Sequence, residues 1–178
     1  MISIRQAAFG GESEDVDVCR RLMREYAVHL NASVGGEHIC LQSFEEELAA
    51  LPGPYAPPEG GVLLAFDGED DPAGCVALKP LKPIQSAHAG ERACEMKRLW
   101  VRPAQQGKGL GRQLADACID LARTRGYTAM YLDTMPASMQ AAFRIYAGMG
   151  FTPVERYTRN PVILQPESIE IAYLRREL

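Results

Sequence analysis

Glu95-Met-Lys-Arg-Leu-Trp-Val-Arg-Pro-Ala-Gln-Gln-Gly-Lys-Gly-Leu-Gly111 decides the fold, because an extended apolar run passes through a short loop into three alternate glycines that open a helix. Gly107, Gly109 and Gly111 lack a Cβ, so the backbone can turn tightly and bring several N–H groups close to one ligand. A helix start adds its own unpaired N–H groups and a positive dipole end. The stretch therefore predicts an anion site whose ligand carries phosphate.

Downstream, Leu110, Leu114, Ala117, Cys118 and Leu121 line one face of a helix and Gln113, Asp116, Asp120 and Arg123 the other, with Gly126 in the terminating position. Thr128 to Asp133 reads as a strand, so the step from Glu95 is a strand–helix–strand crossover that makes a parallel pair. Met139, Ala142, Phe143 and Tyr146 give a short helix stopped by Gly148 and Gly150, and Phe151 to Tyr157 and Ile169 to Leu174 read as closing strands. Upstream, Val62 to Phe66 and Cys75 to Leu78 form an antiparallel pair about the acidic turn Asp67 to Pro72, and Lys82 to Glu91 joins them to the strand Cys94 to Val101. Ile2 to Phe9 reads as an edge strand and Glu14 to Leu30 as a first helix. Ser43 and Glu46 read as a capping box for a second helix that Pro52-Gly53 ends. The Pro/Gly-rich segment Pro52 to Gly61 is a loop, since too little chain precedes it to form a separate core. The fold class is α/β with a mixed sheet, in one domain over 1–178, with no internal repeat.

The chain's 178 residues, 47% hydrophobic and 24% charged, suit one globular domain that closes its own core. A formal charge of -4 and the absence of a basic run disfavour nucleic acid as a partner. Five scattered cysteines, Cys19, Cys40, Cys75, Cys94 and Cys118, with no C-x-x-C pair, fit a reduced setting as small buried residues and give no metal site. No leader-like segment and no long apolar run occur, so the expectation is a cytoplasmic protein without a membrane span.

Three kinds of site place glycines between a strand and a helix. A Walker loop needs G-x-x-x-x-G-K-[ST], which does not occur. A dinucleotide or S-adenosylmethionine site is a closer rival, because Gly107-Lys-Gly-Leu-Gly111 is G-x-G-x-G and Asp133 ends the next strand. Against it, Pro103 to Gln106 intervene before the glycines, and about 45 residues after Asp133 are too few for the remaining βα units. The stretch resembles the GNAT superfamily of acetyl-CoA-dependent N-acetyltransferases, whose R/Q-x-x-G-x-G/A motif is matched by Gln106, Gly109 and Gly111. Val101-Arg-Pro looks like that family's strand end, and Tyr146-Ala-Gly-Met-Gly-Phe151 resembles its Y-x-x-x-G-F segment; the resemblance runs from Glu95 to Phe151.

The resemblance implies a single GNAT-like domain with a mixed, mostly antiparallel twisted sheet flanked by helices. It implies acetyl transfer from acetyl-CoA, without a metal, to a primary amine in a ternary complex. Backbone N–H groups of Gln106, Gly107, Lys108, Gly109, Leu110, Gly111 and Arg112 would cradle the CoA pyrophosphate, with the Lys108 and Arg112 side chains toward the outer phosphates or solvent. The strand at Leu99, Trp100 and Val101 would splay from its neighbour and hold the pantetheine arm, while the Trp100 side chain packs in the core. Strand alternation puts Glu95, Lys97, Leu99 and Val101 on one face. Glu95, four places before Leu99 as in some relatives, is the base candidate; other relatives relay the proton through water. Tyr146 matches the tyrosine that protonates the leaving thiolate. Met139 stands where many relatives have Asn, which removes one side-chain contact to the cofactor.

The acceptor, a small molecule or a peptide amine, is not named by any motif. Asp133 and Thr134 could face it, or cap and brace a loop. Glu45, Glu46 and Glu47 read as a solvated helix face. His29, His38 and His88 are isolated, and Tyr157, Arg159 and Asn160 could close over the acceptor. A paired or exchanged C-terminal strand would make a homodimer. The rivals are a non-catalytic acyl-CoA-binding module and the S-adenosylmethionine or dinucleotide fold.

Overall fold

Strands rich in Val, Leu and Ala that are buried on both faces must lie inside a sheet covered on both sides. Gly61–Asp67 (β2) and Asp71–Pro80 (β3) are two such strands, almost wholly buried and paired antiparallel across the acidic turn. The structure, a computed structural model, describes residues 1–10, 13–35, 41–82, 88, 90–158 and 169–178. Around that hairpin stand Ile2–Gln6 (β1), Asp15–Ser33 (α1), Leu41–Ala49 (α2), Ala93–Val101 (β4), Leu110–Thr124 (α3), Ala129–Thr134 (β5), Gln140–Gly148 (α4), Thr152–Pro153 (β6) and Ala172–Glu177 (β7). Among the described residues they make a seven-stranded sheet of order β1-β2-β3-β4-β5-β7-β6, antiparallel everywhere except between β4 and β5.

The crossover and the two clusters set the layers. α3 packs its Leu110, Leu114, Cys118 and Ile119 on one face against Val76, Met96 and Leu132, with Tyr146 of α4 in the same cluster. α1 and α2 cover the other face, where Leu22, Met23, Phe44 and Leu48 meet Leu64, Cys75 and Trp100. Gly126, with φ 76°, ends α3 as expected, and the fold class is the α/β mixed sheet read from the sequence.

Three local expectations are corrected. α2 begins at Leu41, so Ser43 lies inside the helix and is not its N-cap. The last strand is Ala172–Glu177, held between β5 and a two-residue β6; Ile169 and Ile171 pack against the α1/α2 cluster instead of alternating in a strand. The alternation of β4 also breaks. Trp100 pairs with Cys75 and Lys97 with Ala77, so Arg98 and Leu99 together oppose Val76, and Arg98 takes a φ of 57°. This β-bulge moves Leu99 and Val101 to the α3 side, away from the face of Glu95 and Lys97.

Candidate active site

β4 and β5 pair only from Ala93 with Ala129 to Glu95 with Tyr131. Beyond that point β4 runs on to Val101 beside β3 while β5 runs on to Thr134 beside β7, so the sheet opens between them. A cleft with about 370 Å³ of empty space, part of it open solvent, occupies the opening. Met96, Leu99, Thr134 and Tyr146 line it from the α3/α4 side. Tyr26, Lys97, Arg98, Asp133 and Met139 line it from the side of α1 and α2.

The bulge in β4 is held by a clamp. A non-glycine residue in the left-handed region costs roughly 1–2 kcal/mol, and at Arg98 the side chain offsets it. Its Nε and Nη2 donate to the Glu47 carboxylate at 3.0 and 2.5 Å, and the guanidinium stands 4.7 Å from the Phe44 ring centroid. Glu47 also accepts the Tyr55 hydroxyl at 2.6 Å. Burial works against charge on both partners, yet each overcomes it in the other: Arg98 is held above its ordinary value and Glu47 below. Glu47 is therefore an anchor of β4 and not a solvated residue, as its helix had suggested.

Glu95 is fully buried and does not line the cleft. Lys97 Nζ lies 3.4 Å from its Oε1, Tyr157 donates to the same oxygen at 2.8 Å, and Lys79 Nζ stands 2.9 Å from Oε2 without the alignment of a hydrogen bond. Lys97 Nζ also donates to Asp133 Oδ1 at 2.6 Å. Burial opposes its charge, but Asp133 and Glu95 more than offset this and hold the ammonium above its ordinary value. A carboxylate–ammonium–carboxylate row thus leads from the enclosed Glu95 to Asp133 at the cleft. Tyr146 is buried against Phe151, and desolvation pushes its phenol far above the usual value, so it stays protonated.

At the end of β4 the cradle is assembled by its neighbours. Gln106 Nε2 donates to the Val101 carbonyl at 2.9 Å, which ties the loop to the strand. Gly107 and Gly109 have φ of 75° and 82°, and Gly109 caps α3 in the left-handed conformation. The first bond of α3 runs from Gln113 N–H to the Gly109 carbonyl, leaving the N–H groups of Leu110, Gly111 and Arg112 without an intrahelical acceptor. Gly111 allows close packing, since a Cβ there would stand 3.3 Å from Ile145 Cδ1. The Lys108 and Arg112 side chains are exposed and bonded to Gln105 and Asp116. Trp100 turns toward α1, edge-on to Tyr26 and bonded to Glu25, so its side chain is core. These donors and the left-handed glycines fit a pyrophosphate.

The structure brings Tyr146, Leu99 and Asp133 into one cleft with the cradle beside it, and holds Glu95 one residue behind. Tyr26, Lys97, Arg98 and Tyr157 were not singled out as site residues or, for Tyr157, not with this partner. The signal was present in Glu95, Lys97 and Arg98: three charges in a central apolar strand demand buried partners. Arg159, Asn160, His38 and Cys40 lie outside the described residues. The four described cysteines are buried, and desolvation pushes the Cys19 and Cys118 thiols up to about 12, which makes them inert. Among the described residues no cluster of His, Cys, Asp and Glu is placed to hold a metal ion, and no helix is long and apolar enough to cross a membrane.

Comparison with known proteins meets this geometry. The model of the acetyltransferase (GNAT) family matches residues 21–151. An uncharacterized N-acetyltransferase of Schizosaccharomyces pombe is 33% identical over 165 residues, 93% of this chain and 90% of its own. An acetyltransferase of the GNAT family from Staphylococcus aureus Mu50 superposes with a TM-score of 0.72 at 16% identity, over 100% of this chain and 99% of that one. The Salmonella typhimurium acetyltransferase yncA, solved with its cofactor acetyl-CoA, gives a TM-score of 0.60 at 20% identity over 99% and 94%.

Proposed function

The chain belongs to the GNAT family of acetyltransferases, and from that premise we propose that it moves the acetyl group of acetyl-CoA to a primary amine by direct attack in a ternary complex. The observation that carries the reading is the parting of β4 from β5, with the Tyr146 phenol on one side of the opening and the Asp133 carboxylate on the other. In this proposal the N–H groups from Gly107 to Arg112 hold the pyrophosphate, since that of Gln106 is bonded to the Pro103 carbonyl at 3.2 Å, Lys108 and Arg112 swing to the outer phosphates, and the backbone of Leu99 to Val101 lies along the pantetheine arm. The thioester supplies an acetyl group activated toward amines.

The amine arrives as an ammonium and must lose a proton before its lone pair attacks. Glu95 is the acceptor named by its place in the strand, reached through ordered water or the row of charges ending at Asp133. A second reading makes Asp133 itself the acceptor, favoured because Asp133 lines the cleft and Glu95 does not. As the C–N bond forms, backbone N–H groups along the open edge stabilise the charge on the carbonyl oxygen. As the C–S bond breaks, Tyr146 gives its proton to sulfur and recovers one from solvent. The nitrogen, positively charged once the C–N bond has formed, loses its second proton to solvent, which matches the one Tyr146 recovers, so one proton is released net per amide formed.

Release of the CoA thiol across a panel of primary amines tests the reaction. Turnover by the parent that falls in Tyr146→Phe, with CoA binding kept, supports the enzyme; CoA binding with no turnover on any amine leaves an acyl-CoA-binding module instead. The choice of base follows from Glu95→Gln and Asp133→Asn: the variant that loses the acidic limb of the pH profile marks the group that takes the proton.

A further inference from the structure

β5 ends in a side chain that finds no bonding partner among the described residues. Thr134 is 5% exposed, and its Oγ1 makes no hydrogen bond among the described residues. A hydroxyl buried in that way carries its full desolvation cost, and such groups are rare in native proteins unless something else satisfies them. Thr134 stands three residues past the last β4–β5 pair, in the opening, and lines the cleft together with Tyr146.

The strand fixes which way it points. Met130 and Leu132 enter the core formed with α3 and Tyr146, so Thr134, next in the same alternation, points to that side as well. Asp133 points the other way, to Lys97. The two residues that the sequence set together toward the acceptor are thus divided by the sheet, and Thr134 falls on the side of the Gln106 to Arg112 cradle. On that side Met96 and Leu99 are apolar, so the polar side-chain atoms of the cleft are those of Thr134 and Tyr146.

We propose that Thr134 is a binding residue for the amide-bearing arm of CoA, its hydroxyl bonding an amide group of that arm. This rests on the acetyl-CoA reading given above. A hydroxyl both donates and accepts, so it can meet either the carbonyl or the N–H of an amide. The arm, unlike the nucleotide half, must pass through the opening to reach Tyr146, and Thr134 lies along that passage.

The test is calorimetric binding of two probes, CoA and its nucleotide half 3′-phosphoadenosine 5′-diphosphate, to the parent, Thr134→Val and Thr134→Ser. The valine variant should bind CoA about five- to tenfold more weakly, the loss of one hydrogen bond, while binding the nucleotide half like the parent. Serine should restore CoA affinity to within about twofold. Without ligand the valine variant should melt no earlier than the parent, since an unsatisfied hydroxyl has been removed. If valine disturbs packing and lowers the melting point, Thr134→Ala supplies the same comparison. Equal CoA affinity in parent and hydroxyl-free variant overturns the proposal, as does an equal loss for both probes. A parent that binds neither probe removes the acetyl-CoA reading itself, and this proposal with it.

Discussion

The Lys97 ammonium lies 2.6 Å from the Asp133 carboxylate across the gap where β4 and β5 have parted. With the backbone ladder gone, this charged bond ties the two strands together at the cleft, and Glu95 steadies the same ammonium from behind.

Removing the ammonium should therefore be costly. Lys97→Met removes the cation that stands between Glu95 and Asp133, and breaking a buried ion pair by removing one partner costs about 3 kcal/mol or more. The folded pKa of Lys97 is raised above its ordinary 10.5. Its contribution should thus be fully present below that value and fade only as pH rises through the folded one. Urea unfolding from pH 7 to 11 checks both statements.

Glu47→Gln should release the bulge. Arg98 would lose its charged partner and keep its left-handed backbone, so a loss of roughly 3 kcal/mol is expected. Acetyl-CoA turnover should fall with it, because the bulge sets the position of Leu99 at the cleft. The parent's pH response follows from the same pair. Glu47 titrates below its ordinary 4.5 in the fold, so its contribution is present above 4.5 and is lost as pH falls through the folded value. The glutamine variant should show a flatter acid limb in thermal melts.

Tyr146→Phe should reduce turnover by about 10²-fold or more, the usual worth of a positioned acid. CoA affinity should be unchanged by calorimetry. Because the phenol is held far above its ordinary value, the parent should show no alkaline loss of rate from Tyr146 up to pH 10.

Gly109→Ala should weaken CoA binding without emptying the core. No neighbour stands closer than Gln113 Nε2 at 4.0 Å to the added Cβ, so the penalty comes from φ of 82° alone, about 1 kcal/mol. A backbone that relaxes to avoid it turns the N–H groups from the anion. Melting temperatures with and without CoA should show a small drop in the free protein and a larger one in the ligand's stabilisation.

The readable parts of this molecule were local. Gly107 to Gly111, Gly126 and the apolar stripe of α3 carry their geometry in adjacent residues, and the crossover from Glu95 to Asp133 follows from chain handedness. Tyr146 could be placed because its segment lies in register with the cradle. The bulge could not, because what holds Arg98 in a left-handed conformation is Glu47, 51 residues earlier. An alternating pattern continued through Lys97 and Arg98 accordingly sent Leu99 and Val101 to the wrong face. β7 was misplaced for a related reason: Tyr173 and Leu174 are fixed by partners in β5 and β6, and Ile169 and Ile171 mimic a strand while serving as packing for α1. Asp133 and Thr134 were noticed as a pair, but as consecutive strand residues they face opposite sides of the sheet and line the cleft from different sides.

That split has a consequence for how the protein can change. In the proposed reaction donor and acceptor meet at a doorway through a wall, each kept on its own side by a different pair of helices. On that proposal, substitutions on α1 and α2 should reshape the choice of amine while the α3 side goes on gripping the same coenzyme. An inhibitor that joins an amine to CoA would have to be threaded through the sheet, so its fit should depend on the length of its linker as much as on either end.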